Sequence, residues 1–179
     1  MIATQREVVD FWRDAGQEKW FEKNDDFDTA FREKFLETHE AAARGDLDGW
    51  TESAEGALAL LILLDQFPRN CFRSTAHMYA TDPHARRIAR KAVAAGYDRA
   101  FDGPVRVFFY LPFSHSEDLA DQEEAVRLQS LIGEEYAKHA RRHRDIVAKF
   151  SRFPHRNAIL GRDTTPEEQK YLDDGGFAG

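Results

Sequence analysis

Residues 57–70 read Ala-Leu-Ala-Leu-Leu-Ile-Leu-Leu-Asp-Gln-Phe-Pro-Arg-Asn, an apolar run that passes directly into a polar, proline-containing end. Positions 58–64 are apolar on every side, the pattern of a helix surrounded by other elements rather than lying on a surface. Pro68 is expected to end that helix, because the residue before a proline disfavours helical backbone. The run 57–64 falls far short of the ~18 apolar residues that a membrane span needs.

Working outward, helical spacing recurs in nearly every segment. Val8, Phe11, Trp12 and Ala15 form one stripe, stopped by Gly16. Phe27, Phe31, Phe35 and Thr38 form another, opened by Asn24 or Asp25 as a cap and closed before Gly45. Thr51 is expected to cap the central helix, and Asp82, followed by Pro83, the next one. Residues 105–111 have a strand-like composition. Helix is preferred there, because Gly103-Pro104 suits a helix start and no partner strand is visible. Helices are expected over 118–132 and 134–150. A last one follows the capping box Thr165-Pro166-Glu167-Glu168. The expectation is an all-α chain of roughly eight or nine helices, arranged as antiparallel pairs in a bundle or a short superhelix.

The length, 179 residues, fits one domain spanning 1–179, with 174–179 as a short tail. A single cysteine, Cys71, excludes an internal disulfide and fits a reducing compartment. The start of the chain has neither a basic segment nor an apolar stretch, so no signal peptide is expected and a cytoplasmic location is. A net charge of −7 argues against a broad nucleic-acid surface. The sequence holds no phosphate-binding glycine loop, Cys-x-x-Cys pair or nucleophile elbow, and no cofactor is expected.

Chemistry concentrates in an echo. Phe67-Pro68-Arg69-Asn70 is matched by Phe153-Pro154-His155-Arg156-Asn157, each followed by a further arginine, Arg73 and Arg162. Each is read as a turn after a helix end. There arginine presents a planar charged fork suited to a carboxylate or phosphate. Asparagine either caps the next helix or meets a ligand. Between the two lies Tyr110-Leu111-Pro112-Phe113-Ser114-His115-Ser116-Glu117. His115 is a candidate acid or base with a near-neutral pKa. Glu117 either orients it or completes a capping box with Ser114. His139 and His143 stand four apart on one helix face, beside the apolar stripe, with Glu135 a turn earlier. They are weak metal candidates, and a hydrogen-bonded core role is the other reading.

These segments together resemble an uncharacterised, mainly bacterial domain-of-unknown-function family, number nine-two-four, whose fold is assigned to the tetratricopeptide-like helical class. The resemblance runs from Phe11-Trp12 through 64–70, 110–117 and 143–146 to 153–157 and Leu160-Gly161-Arg162. It implies an all-helical fold and no established activity, cofactor or catalytic residue. It draws attention to Asp65, Arg69, His115, Glu117, His143, His155, Arg156 and Arg162. Three functions stay open, beside a fourth reading in which these motifs merely lock helix ends together. The first is a cleft lined by Arg69, Asn70, Arg73, His155, Arg156, Asn157 and Arg162 for a small anion or an acidic peptide terminus. The second is an enzyme using His115 or His143, oriented by Glu117 or Asp65. The third is a protein-interaction scaffold.

Overall fold

The computed structural model describes residues 1–178, and among these the regular structure is helix throughout, with no strand. Helix α1 (Gln5–Ala15) opens on a Thr4–Glu7 capping box and closes at Gly16, with φ 76°. Helix α2 (Gln17–Trp20) turns the chain, and α3 (Asp25–Ala43) starts where Asn24 accepts the amide of Phe27. Phe11 and Trp12 then meet Phe27, Phe31 and Phe35 with ring centroids 5.2–5.9 Å apart. These are the offset and edge-on geometries that aromatic quadrupoles favour.

Helix α4 (Ala54–Leu61) is capped by Ser53, not Thr51. Thr51 lies inside a 3-10 turn, Asp48–Glu52, and donates to the carbonyl of Asp48. The turn packs so closely that a Cβ on Gly56 would fall 2.2 Å from the carbonyl oxygen of Trp50. All the residues 57–64 are buried, as the apolar run implied, and α1 and α6 (Asp82–Ala94) pack against α4.

Pro68 does not end this helix. The chain instead widens into a π-helical turn, Ile62–Gln66, and continues as α5 (Phe67–Cys71) with Pro68 in its first turn. A proline has no N–H and its ring crowds the carbonyl four residues back. The wider turn relieves the crowding but leaves carbonyls without backbone partners, and buried carbonyls need one. Side chains supply it. His39 of α3 donates from Nδ1 to the Leu63 carbonyl at 2.8 Å, and the Thr81 hydroxyl donates to the Leu64 carbonyl at 2.5 Å. The central element is thereby bonded to α3 on one side and to the start of α6 on the other. Asp82 is the first residue of α6 and not its cap. The N-cap position belongs to Thr81, whose hydroxyl is committed to Leu64.

Residues 104–109 form a 3-10 turn, as the helical reading of that segment anticipated, and lead into α7 (Leu111–Ser114). Helices α8 (Leu119–Gln129) and α9 (Glu134–Phe150) form a hairpin through 130–133. Helix α10 (Pro166–Asp173) starts on the anticipated Thr165–Glu168 capping box. The main core surrounds α4, and Ile146, Val147 and Phe153 make a smaller one at the end of α9. Near the end of the described chain, Phe177 packs on that smaller core and its N–H donates to the Tyr171 hydroxyl. No helix among the described residues is long and apolar enough to cross a membrane.

Replacing Thr81 with valine keeps the shape but strands the Leu64 carbonyl. We expect a loss of about 1–3 kcal/mol of unfolding free energy in urea titration. An unchanged midpoint would show that the π turn does not depend on this bond.

Candidate functional site

The π turn places Asp65 beneath a cleft, behind the lining residues Gln66, Arg69 and His115. Its carboxylate is only 1% exposed, and both oxygens are held. Oδ1 accepts from His115 Nδ1 at 2.7 Å and from Arg69 Nη1 at 3.2 Å, and Oδ2 accepts from Gln66 Nε2. Arg69 also donates to the Asp65 carbonyl at 2.8 Å and forks onto Asp82 at 2.8 and 2.9 Å. Burial by itself would raise the Asp65 pKa. The charges of Arg69 and His115 and the bonds from His115 and Gln66 outweigh it and hold the carboxyl at about 2. The His115 pKa is lowered, by burial first and by Arg69 next, against the opposing pull of Asp65. The ring is therefore neutral at pH 7. Its proton sits on Nδ1 toward the carboxylate, and Nε2 has no protein partner among the described residues.

The opposite wall comes from the loop after α9. Ser151 ends that helix in the left-handed region, with φ 59°, and turns the chain into Phe153-Pro154-His155-Arg156-Asn157. Ion pairs hold the loop from behind. Glu117 accepts the Phe153 amide at 2.8 Å and the Arg162 fork at 2.7 and 2.9 Å. Asn157 accepts from Arg162 at 3.0 Å, and Arg152 forks onto Glu168 at 2.6 and 2.8 Å. Glu117 therefore does not form a capping box with Ser114, because Asp118 caps α8 in its place. Neither asparagine of the echo is the N-cap of the helix that follows it. Asn70 donates to Asp28, which also takes Arg73.

Arg156 stands apart from these arginines. It is 7% exposed and its guanidinium lies against two rings, 4.5 Å from the Tyr79 centroid and 4.6 Å from that of Phe153. Its nearest carboxylate oxygen, Asp82 Oδ2, is 3.9 Å away and already accepts from Arg69. Its side chain makes no hydrogen bond among the described residues, and Nε is buried without a partner. Burial and the neighbouring Arg69 lower its pKa against the pull of Asp82, yet a guanidinium remains charged at neutral pH.

Between the walls is a cleft of about 640 Å³, lined by Arg69, Tyr79, His115, His143, His155 and Arg156 among others. Trp20, Leu111 and Phe177 give it apolar sides. Burial pushes His143 down to about 4, despite the bond from Nδ1 to the His139 carbonyl. Burial, then Arg156 and His143, push His155 down to about 4 as well.

The structure thus brings together residues far apart in the chain. Arg69, Asn70, Arg73, His115, His143, His155 and Arg156 all line the cleft, with Asp65 bonded to His115 beneath it. Glu117, Asn157 and Arg162 do not line it and instead brace its wall. His139 reaches only the exposed rim of the cleft. Its side chain is exposed and pairs with Glu135 at 3.4 Å, and no group of three metal-ligating side chains occurs among the described residues. Cys71 is half-buried beside Asp28, with its thiol pushed up to about 12, first by burial and then by Asp28. Sequence reasoning missed Tyr79, which carries no motif signal, and took Asp82 for a cap.

Comparison with known proteins agrees with this architecture. The family described as bacterial protein of unknown function (DUF924) matches residues 8–176. The chain belongs to this family. Its fold is also that of a solved structure of a protein of unknown function from Agrobacterium tumefaciens. The two share 58% identity and superpose with a TM-score of 0.93 over 96% of this chain and 97% of the other. Among curated proteins, none matches the chain.

Two half-buried histidines, His143 and His155, are expected to govern the acid stability. His143 and His155 titrate at about 4 in the fold, against an ordinary 6.5. The unfolded chain therefore binds more protons between about pH 6.5 and 4, and stability falls as pH drops through that window. Asp65 adds a second loss. Its stabilisation is complete above the ordinary 3.8 and disappears as pH falls through about 2. Thermal midpoints measured from pH 7 to 4 should decline by roughly 2–4 °C for each kcal/mol lost. The decline should flatten in a His143→Gln, His155→Gln double variant. A wild-type midpoint that is level across this range would contradict the lowered pKa values of these rings.

Proposed function

We propose that the cleft binds a small organic anion, a carboxylate or a phosphate, on Arg156. One observation carries this reading: a buried guanidinium with no hydrogen-bond partner on the wall of a cleft. Buried polar groups are nearly always satisfied, and an unsatisfied charged one calls for a missing partner. The other echo arginines have theirs: Arg69 holds Asp82, Arg73 holds Asp28 and Arg162 holds Glu117. Arg156 has five N–H donors in a fixed plane, the geometry that matches two oxygens of a carboxylate or phosphate. The rings of Tyr79 and Phe153 hold that plane, so little ordering remains to be done on binding. Neutral His143 and His155 add polar groups that carry no charge to repel a cationic neighbour. The apolar sides suit the carbon skeleton of a small molecule. An acidic peptide terminus offers the same carboxylate chemistry.

Titration calorimetry with inorganic phosphate, citrate and an acidic tripeptide separates these sources. Arg156→Leu keeps the packing against Tyr79 and removes the donors, and should weaken the binding roughly tenfold or more. Lys23→Ala, also at the cleft, should leave it nearly unchanged. Equal affinity in wild type and Arg156→Leu would reject the assignment.

A further inference from the structure

We propose that the Asp65–His115 pair makes this cleft a hydrolytic site, with His115 as the general base that activates water against a small ester. The inference rests on the anion-binding reading of Arg156, because the anion held there would be the product of the cleavage.

The geometry is that of an oriented base. Asp65 is almost wholly enclosed, and its two oxygens are fixed by His115, Arg69 and Gln66, so it has no freedom to turn away. The 2.7 Å bond to Nδ1 fixes both the tautomer and the plane of the imidazole. What it leaves free is Nε2, on a ring that lines the cleft. A histidine serving only to tie helices together normally uses both nitrogens or buries the second one. His39 illustrates this: Nδ1 bonds to the Leu63 carbonyl, and Nε2 is sealed from solvent. His143 is no substitute for His115, since its Nδ1 faces a carbonyl of its own helix and no carboxylate stands behind it.

Water is taken as the nucleophile. The described lining of the cleft contains no serine, threonine or cysteine to form a covalent intermediate. The step then balances as follows. Nε2 takes a proton from water as the water oxygen bonds to the acyl carbon or phosphorus. The negative charge that builds on the acyl or phosphoryl oxygen faces Arg156. The bond to the leaving alkoxide or phenoxide then breaks, and the proton on Nε2 passes to that leaving oxygen. One ester and one water give one acid and one alcohol, and the imidazole returns to its starting state. Asp65 is a positioning residue that stabilises the transient imidazolium. Arg69 is engaged with Asp65 and Asp82, and Arg156, next to it over the same Tyr79 ring, is left for the substrate.

The test uses 4-nitrophenyl phosphate and 4-nitrophenyl acetate, which distinguish phosphoryl from acyl transfer. The intact protein should release nitrophenolate from one of them. His115→Gln should lower that rate by roughly 10²–10⁴-fold, with the circular dichroism spectrum unchanged. The pH–rate profile supplies a readout that a structural role would not move. The rate should rise with pH and level off below the ordinary imidazole range, because only neutral His115 can take the proton and its pKa is lowered. Asp65→Asn removes the charge that supports the imidazolium, so the rate should fall and the rising limb move to still lower pH. That variant also carries the test if His115→Gln fails to fold. No release above the buffer rate with both esters, or release equal in wild type and His115→Gln, would overturn the proposal. If phosphate or citrate still binds through Arg156 in that case, the hydrolytic role alone is lost. If neither binds, the anion-binding reading falls with it.

Discussion

Pro68 cannot close the hydrogen bond that an α-helix requires at its position, and the centre of the molecule is arranged around that lack. The helix widens by one residue at 62–66, and the carbonyls so released are taken by His39 and Thr81. Two neighbouring elements are thus bonded to the backbone of the most buried helix, beyond the apolar packing that any helix offers. The same widening sets the orientation of Asp65, Gln66 and Arg69. A regular helix through these residues would advance each side chain by about 100°, and an inserted residue breaks that phase. The constraint that distorts the core also builds the floor of the cleft.

Charge is distributed unevenly across that floor. Asp65 and Asp82 supply two carboxylates, and Arg69 and Arg156 two guanidiniums, yet the pairing is not one to one. Arg69 forks onto Asp82 and reaches Asp65 through Nη1 at 3.2 Å, while Arg156 reaches Asp82 only at 3.9 Å. Enclosed ion pairs recover their desolvation cost only when the geometry is good and the remaining donors are satisfied. Arg69 meets that condition and Arg156 does not. The rings of Tyr79 and Phe153 compensate in part, through the attraction of a cation for an aromatic face. What remains is an oriented positive charge, held by a loop that Glu117, Arg162, Arg152 and Glu168 fasten from outside. On α9, Arg141 likewise pairs with Glu134, and Arg144 with Asp145 and Glu123.

Much of the fold was legible in the residues. Apolar spacing identified the stripes of Phe27, Phe31 and Phe35 and the enclosed run 57–64, because burial of a face imposes its period on the chain. Caps were legible at Asn24 and Thr165, were misread at Thr51, which turns to the Asp48 carbonyl three residues back, and were misread elsewhere where a distant group competed. Thr81 serves a carbonyl seventeen positions back, Asp82 serves Arg69, and Glu117 serves a loop thirty-six residues on. A side chain that can cap can equally accept or donate elsewhere, and only its spatial neighbours decide between the two.

By itself, then, the sequence determined an all-helical chain, its enclosed central helix and the echo that marks the two walls of the cleft. Those follow from periodicity and local stereochemistry, which act over a few residues. The tertiary structure alone decided that Pro68 widens the helix rather than ending it. It decided too that three of the four echo arginines are neutralised by partners, and that Arg156 is not. It brought His115 onto Asp65, fifty positions away. Pairing of charges is settled by distance in space and by the water that burial removes, and neither quantity is written in the order of the residues.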